Sequence, residues 1–209
     1  MKFKFNKNHK KDSARWLRRH FNDEYFQKSK VDGFRSRSSY KLIQINEKFC
    51  FLNSRKKILD LGCSPGGWLQ VTKKFCPTNS KIMGIDKLSM KSIPGVFFHK
   101  GDIFDEKVND HIKTFFNSKI DLLMSDMSPN STGNKKVDHL RIISLVEKVI
   151  DISDEILDSN GVLVLKIFQG GMQGELEKKI HKLFLSKQNF KPKASRPESP
   201  ELYLIAKKK

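Results

Sequence analysis

A chain of 209 residues, 37% of them hydrophobic, is long enough for one sizeable α/β core, and that apolar share excludes a chain disordered over most of its length. It holds no apolar run of the length a bilayer crossing requires, so no membrane partner is expected. Lys and Arg outnumber Asp and Glu 41 to 23, a formal charge of +18, which calls for a polyanion, nucleic acid first.

Coding bias toward A/T could inflate lysine, since 33 of the 41 basic residues are lysine. The distribution argues for more than bias. Residues 1–41 hold 13 Lys or Arg against 4 Asp or Glu, a net +9, so half the charge lies in a fifth of the chain. An RNA- or DNA-contacting N-terminal arm is expected. The opening Met1–Phe5 is basic but has no apolar core behind it, unlike a secretory signal. Cys50, Cys63 and Cys76 are odd in number and lack CxxC spacing, which fits free thiols in a reducing cytoplasm. No His or Cys cluster has metal-ligand spacing, so no metal is expected.

In chain order, residues 1–12 read as a solvated basic tail, and residues 13–209 as one domain with an N-terminal helical extension. Ser13 to about Gln27 carries Trp16, Leu17, Phe21, Tyr25 and Phe26 at helical spacing. Asp32-Gly33 reads as a turn, and Ser36–Phe49 as a second helix. Short apolar runs follow at Ile58–Leu61, Lys81–Asp86, Val96–Lys100, Ile120–Asp126 and Gly161–Phe168. A long amphipathic helix is expected over about Val137–Leu157 and another over Met172–Leu185. Two last strands are expected near Phe190–Ala194 and Leu202–Ala206. Strands alternating with helices predict an α/β fold, a mostly parallel sheet covered on both faces.

Such sheets bind ligands at the carboxyl ends of their strands. The polar residues of interest sit there. Asp60–Trp68 is a glycine-rich strand-to-helix turn, neither GxGxxG nor a phosphate-binding GK[ST] loop. Gly62, Gly66 and Gly67 let backbone amides approach a ligand, and the helix end would suit a carboxylate. Asp86 lies 26 residues beyond Asp60, in the place where a carboxylate takes ribose hydroxyls. Asp102 ends the next strand and could accept from an adenine amine. The set describes a nucleoside-bearing cofactor with an amino-acid end. Any one of these carboxylates could instead be a turn former, but three after successive strands make that reading weaker.

Lys41, Asp126, Lys166 and Glu201 supply acid–base chemistry. A ribose hydroxyl is a poor nucleophile and needs a base. A lysine serves only when neutral, and burial or a neighbouring cation favours that form. Lys166 ends the most apolar strand; Lys41 could supply the second charge, and Asp126 could orient the amine.

Several segments resemble the FtsJ-type ribose 2′-O-methyltransferases. Asp60–Trp68 is similar to their cofactor loop and Ser125–Asn130 to their second hallmark. Arg35–Leu42 and Leu163–Lys166 match the segments carrying their two lysines, and Glu201–Ala206 their closing glutamate strand. The resemblance runs from about Ala14 to Ala206. It implies a Rossmann-like class I methyltransferase fold with seven strands, the last hairpin antiparallel, and S-adenosyl-L-methionine as donor. Lys166 would be general base, with Lys41, Asp126 and Glu201 around it. Gly66, Trp68, Asp86, Asp102 and Asp126 would contact the donor. The compact size and Trp16–Phe21 look most like the bacterial branch that methylates a uridine of 23S rRNA in the large ribosomal subunit, acting as a monomer. Cys63 and Ser64 stand where bacterial members often have alanine. The alternatives are a 2′-O-methyltransferase acting on tRNA or another RNA, and a non-catalytic RNA-binding protein of the same fold.

Overall fold

The computed structural model describes residues 22–129, 131–170 and 174–209. The basic tail and residues 13–21 of the first expected helix lie outside them. Helix α1 spans Glu24–Val31, and Asp23 caps it by accepting from the Phe26 amide at 3.2 Å. Helix α2 spans Ser39–Phe49. It starts later than the apolar spacing predicts, because Ser36 and Ser38 hydrogen-bond each other at 2.6 Å in the turn before it. Helices α3 (Gly67–Phe75) and α4 (Glu106–Phe116) come next. Helix α5 (Lys135–Ile156) runs directly into a strand that starts at Leu157, and α6 is Glu175–Leu183.

The strands are β1 Lys57–Leu61, β2 Lys81–Asp86, β3 Phe97–Lys100, β4 Ile120–Ser125, β5 Leu157–Phe168, β6 Phe184–Phe190 and β7 Glu201–Lys208. They form one sheet in the order β3-β2-β1-β4-β5-β7-β6. Pairing is parallel from β3 to β5, and β7 runs antiparallel to both neighbours. The expected seven-stranded, mostly parallel sheet is present. One boundary is corrected. The strand expected near Phe190–Ala194 is β6, which begins at Phe184, where α6 has just ended. Pro192 has no amide to give a ladder, so the chain beyond Phe190 leaves the sheet.

Side-chain parity sorts the sheet into two faces. Leu59, Leu61, Leu123, Leu163, Leu165, Ile167 and Leu204 pack beneath α4, α5 and α6. Ile58, Leu122, Met124, Val162, Val164 and Tyr203 pack beneath α2 and α3. The same alternation sends Asp60, Asp126, Lys166 and Glu201 toward the α2 face. Strand order reverses between β1 and β4, so a crevice opens beyond their carboxyl ends.

Candidate active site

The four charged residues expected to act together meet at one point. Lys166 ends the apolar run of β5 and stands opposite Tyr203 of β7, while Phe168 stands opposite Glu201. Lys41 reaches in from the first turn of α2, and Asp126 follows β4. Lys166 Nζ lies 3.0 Å from Asp126 Oδ1, 3.9 Å from Glu201 Oε2, and donates to the Asp126 carbonyl at 2.9 Å. Lys41 Nζ lies 2.7 Å from Glu201 Oε1 and 4.0 Å from Asp126 Oδ1. Each lysine therefore faces both carboxylates, so the cluster sets two amines against two acids. Its side chains are between 9% and 17% exposed, which rules out solvent screening as the main influence.

The carboxylates register that environment. Burial alone would raise the Asp126 carboxyl, but Lys166, Lys41 and the Tyr203 hydroxyl outweigh it and hold it below the usual range. Burial works against ionised Glu201 as well, and Lys41 with Lys166 reverses the sign. Tyr203 is a member of the site that the sequence reading passed over. Its side chain is fully buried and its hydroxyl donates to Asp126 Oδ1 at 2.6 Å. Burial first, then Asp126 and Glu201, push its phenol well above its ordinary value, so it stays a donor. Its ring lies 5.7 Å from Lys41 Nζ and 5.8 Å from the Trp68 ring. The signal was available: Tyr203 stands two residues after Glu201 on one strand, hence on the same face.

Beside the tetrad a cleft of about 670 Å³ is lined by Gly62, Asp86, Lys87, Asp102, Phe104 and Asp126, among others. Gly62 has φ +73°, and a Cβ there would lie 1.9 Å from Met127 Cγ, so both its backbone and the loop after β4 require glycine. Asp86 Oδ2 accepts from the Ser64 amide and Oδ1 from the Leu88 amide, both at 2.8 Å. These bonds tie the glycine loop to the end of β2. Asp102 accepts from the Phe104 amide at 3.1 Å and pairs with Lys87 at 2.8 Å. Burial alone would raise its carboxyl, yet these two partners bring it below the ordinary value.

A smaller cavity of about 70 Å³ shares Gly62, Ser64 and Asp126 with the cleft and adds Asp60, Gly67 and Trp68. Trp68 is buried, donates to the Ser38 carbonyl at 2.9 Å and so serves core and cavity wall together. Gly66 lines neither space. It occupies φ +106° before α3, with Arg35 and Ile93 against the position of a Cβ. Asp60 stood inside the glycine motif without a role in the sequence reading. Its Oδ2 is buried without a hydrogen-bond partner, and burial, then Asp126 and Asp86, push its carboxyl well up. An acid inside the apolar run Ile58–Leu61 of β1 was the signal.

Two arginines of the basic stretch 1–41 are engaged within the fold. Arg35 donates to the carbonyls of Pro65, Lys91 and Ser92 at 3.1, 2.6 and 2.8 Å. Arg37 pairs with Asp23 at 2.9 Å and donates to the Ala194 carbonyl at 2.6 Å. Among the described residues no group of three or more His, Cys, Asp or Glu is placed to hold a metal ion. No described helix is long and apolar enough to cross a membrane.

A switch-point crevice lined by successive strand-end acids meets, at Asp126, a cluster of two lysines and two carboxylates, the layout of a group-transfer enzyme. The profile of the FtsJ-like methyltransferases matches residues 34–209, and the chain belongs to that family, whose members use a methyl donor. Similar relatives include "Ribosomal RNA large subunit methyltransferase E" of Rickettsia akari, 42% identical over 93% of this chain and 88% of that protein. The protein of the same name from Bartonella bacilliformis is 43% identical over 94% of this chain and 84% of that one. Among solved structures, a Plasmodium falciparum protein described as a ribosomal RNA methyltransferase superposes with a TM-score of 0.74. It is 33% identical, over 84% of this chain and 98% of its own.

Proposed function

We propose that this methyltransferase transfers a methyl group from S-adenosylmethionine to the 2′-hydroxyl of a uridine ribose in 23S rRNA of the large ribosomal subunit, acting in the cytoplasm as a monomer. The observation that carries the chemistry is the buried Lys41–Asp126–Lys166–Glu201 cluster abutting an acid-lined cleft. The names of the relatives carry the choice of RNA.

The residues fit the donor. Asp60 Oδ2, buried and unpartnered in the small cavity, is the counterpart of an ammonium group. Asp86 and Asp102 offer acceptors for ribose hydroxyls and a base amine at the other end. Gly62, Gly66, Gly67 and Trp68 shape the loop between these ends. S-adenosylmethionine, once bound, supplies a methyl group on a positively charged sulfur, which passes to an oxygen as the carbon–sulfur bond breaks.

Asp126 stands at the junction of the two cavities and orients the Lys166 amine through its carboxylate and its carbonyl. Tyr203 holds that carboxylate from below. Glu201 positions Lys41, which keeps a second cation next to the reacting oxygen. Lys166, as the neutral amine, accepts the proton that the 2′-hydroxyl loses. The direct test is incubation with labelled donor and large subunits from a strain lacking 23S 2′-O-methylation, followed by nucleoside mapping. The expected product is 2′-O-methyluridine. Label on a base, or acceptance of a 2′-deoxy target, contradicts the reading.

A further inference from the structure

At the outer end of the cleft, the carboxylate expected to receive the nucleobase is already taken. Lys87 Nζ sits 2.8 Å from Asp102 Oδ2, and the Phe104 amide holds Oδ1 at 3.1 Å. Lys87 is the first residue after β2 and Asp102 lies just beyond β3, its parallel neighbour. The ion pair therefore spans the mouth of the cleft, which both residues line. Asp86 differs, because both its oxygens are held by backbone amides, one from the glycine loop and one just after β2. Lys87 is a flexible side chain, 64% exposed, and a pair this open is weak enough to be displaced.

We propose that Lys87 is an affinity-setting latch over the base end of the donor site: its ammonium competes with the nucleobase amine for Asp102 Oδ2, and donor binding displaces it. This rests on the reading of Asp102 as a base contact. An ammonium is a stronger donor to a carboxylate than a neutral amine, so the exchange weakens binding of the whole ligand. The latch also sits at the cleft end remote from Lys166, so it acts on nucleoside affinity and leaves the proton transfer alone. Released from Asp102, the ammonium regains full hydration in solvent, so the penalty stays modest.

The test is calorimetric titration of the full chain with S-adenosylhomocysteine, which lacks the sulfonium charge. Lys87→Met is expected to bind it about threefold tighter than the unmodified protein, the scale of an exposed ion pair. Added salt is expected to tighten binding to the unmodified protein by screening the pair and to leave Lys87→Met unchanged. Asp102→Ala is expected to weaken binding. Unchanged or weaker binding by Lys87→Met, with Asp102→Ala still damaging, overturns the latch and leaves the nucleoside reading standing. An Asp102→Ala protein that binds as well as the unmodified chain removes both, because Asp102 then contacts no base.

Discussion

The two acid clusters beside the glycine loop differ in what holds them. Asp126 and Glu201 are largely shielded from solvent, each faces two lysine amines, and a tyrosine hydroxyl completes the set. Asp86 and Asp102 stand at an open rim, held by backbone amides and one exposed lysine. Breaking a buried pair leaves an uncompensated charge at about 3–5 kcal/mol, whereas an exposed pair is worth about 0–1 kcal/mol. The dry cluster is thus fixed in geometry and suited to chemistry, and the wet rim is suited to ligand exchange. Asp60 stands between them, buried like the first cluster and unpartnered like neither.

The sharpest way to break the distinction is Asp126→Ala, which leaves Lys41 and Lys166 with a single carboxylate. It is expected to destabilise the fold by about 3–5 kcal/mol and to abolish methyl transfer. The acid limb of stability tests the same cluster. Asp126 and Glu201 are depressed in the folded protein, so their contribution is present above the ordinary carboxylate range and is lost as pH falls from there through their lower folded values. Melting curves of Asp126→Asn/Glu201→Gln should therefore show a shallower acid decline than the unmodified chain. An identical decline would move the origin of acid sensitivity elsewhere.

Asp60→Asn separates binding from folding. The Asp60 carboxyl is raised, so it costs stability once pH rises above the ordinary carboxylate range, the cost grows up to the raised folded value, and it vanishes as pH falls below the ordinary value. The variant is expected to melt higher at neutral pH while binding the donor about tenfold or more weakly, the loss of one charge-assisted bond. Lower melting and unchanged affinity would make Asp60 purely structural. Tyr203→Phe removes one hydrogen bond to a charged group, about 1.5–3 kcal/mol, and should lower the single-turnover rate more than tenfold at unchanged donor affinity. A rate equal to that of the unmodified chain would leave Asp126 oriented by the lysines alone. Smallest is the effect of Arg18→Ala/Arg19→Ala, expected to reduce the salt slope of RNA binding by about one per lost phosphate contact without changing melting. An unchanged slope would leave coding bias as the source of the N-terminal charge.

The sheet and the tetrad were legible because both obey short-range rules. Apolar runs ending in acids mark parallel strands, and the tetrad residues sit at strand ends or in the first turn of α2. Less legible was whatever depended on partners far away in sequence. The charge of Arg35 and Arg37 is visible in the chain, while the carbonyls of Pro65, Lys91, Ser92 and Ala194 that they bond are not. Tyr203 was missed because a tyrosine among Leu and Ile reads as core, and core it is, apart from one oxygen. The start of β6 was misplaced because Phe184 and Leu185 continue the apolar spacing of α6, with no glycine or proline to mark the junction.

The central claim is that the amine at the end of β5 takes the ribose proton, and replacing that amine with a less basic one tests it most directly. In a Cys50→Ser background, Lys166→Cys can be aminoethylated to a lysine analogue, while burial keeps the Cys63 and Cys76 thiols protonated and unreactive. The account predicts no activity before modification and restored activity after it, with the rise of the single-turnover rate moved to lower pH by the difference in amine basicity. Restored activity on an unmoved pH profile, or full activity of unmodified Lys166→Cys, would contradict it.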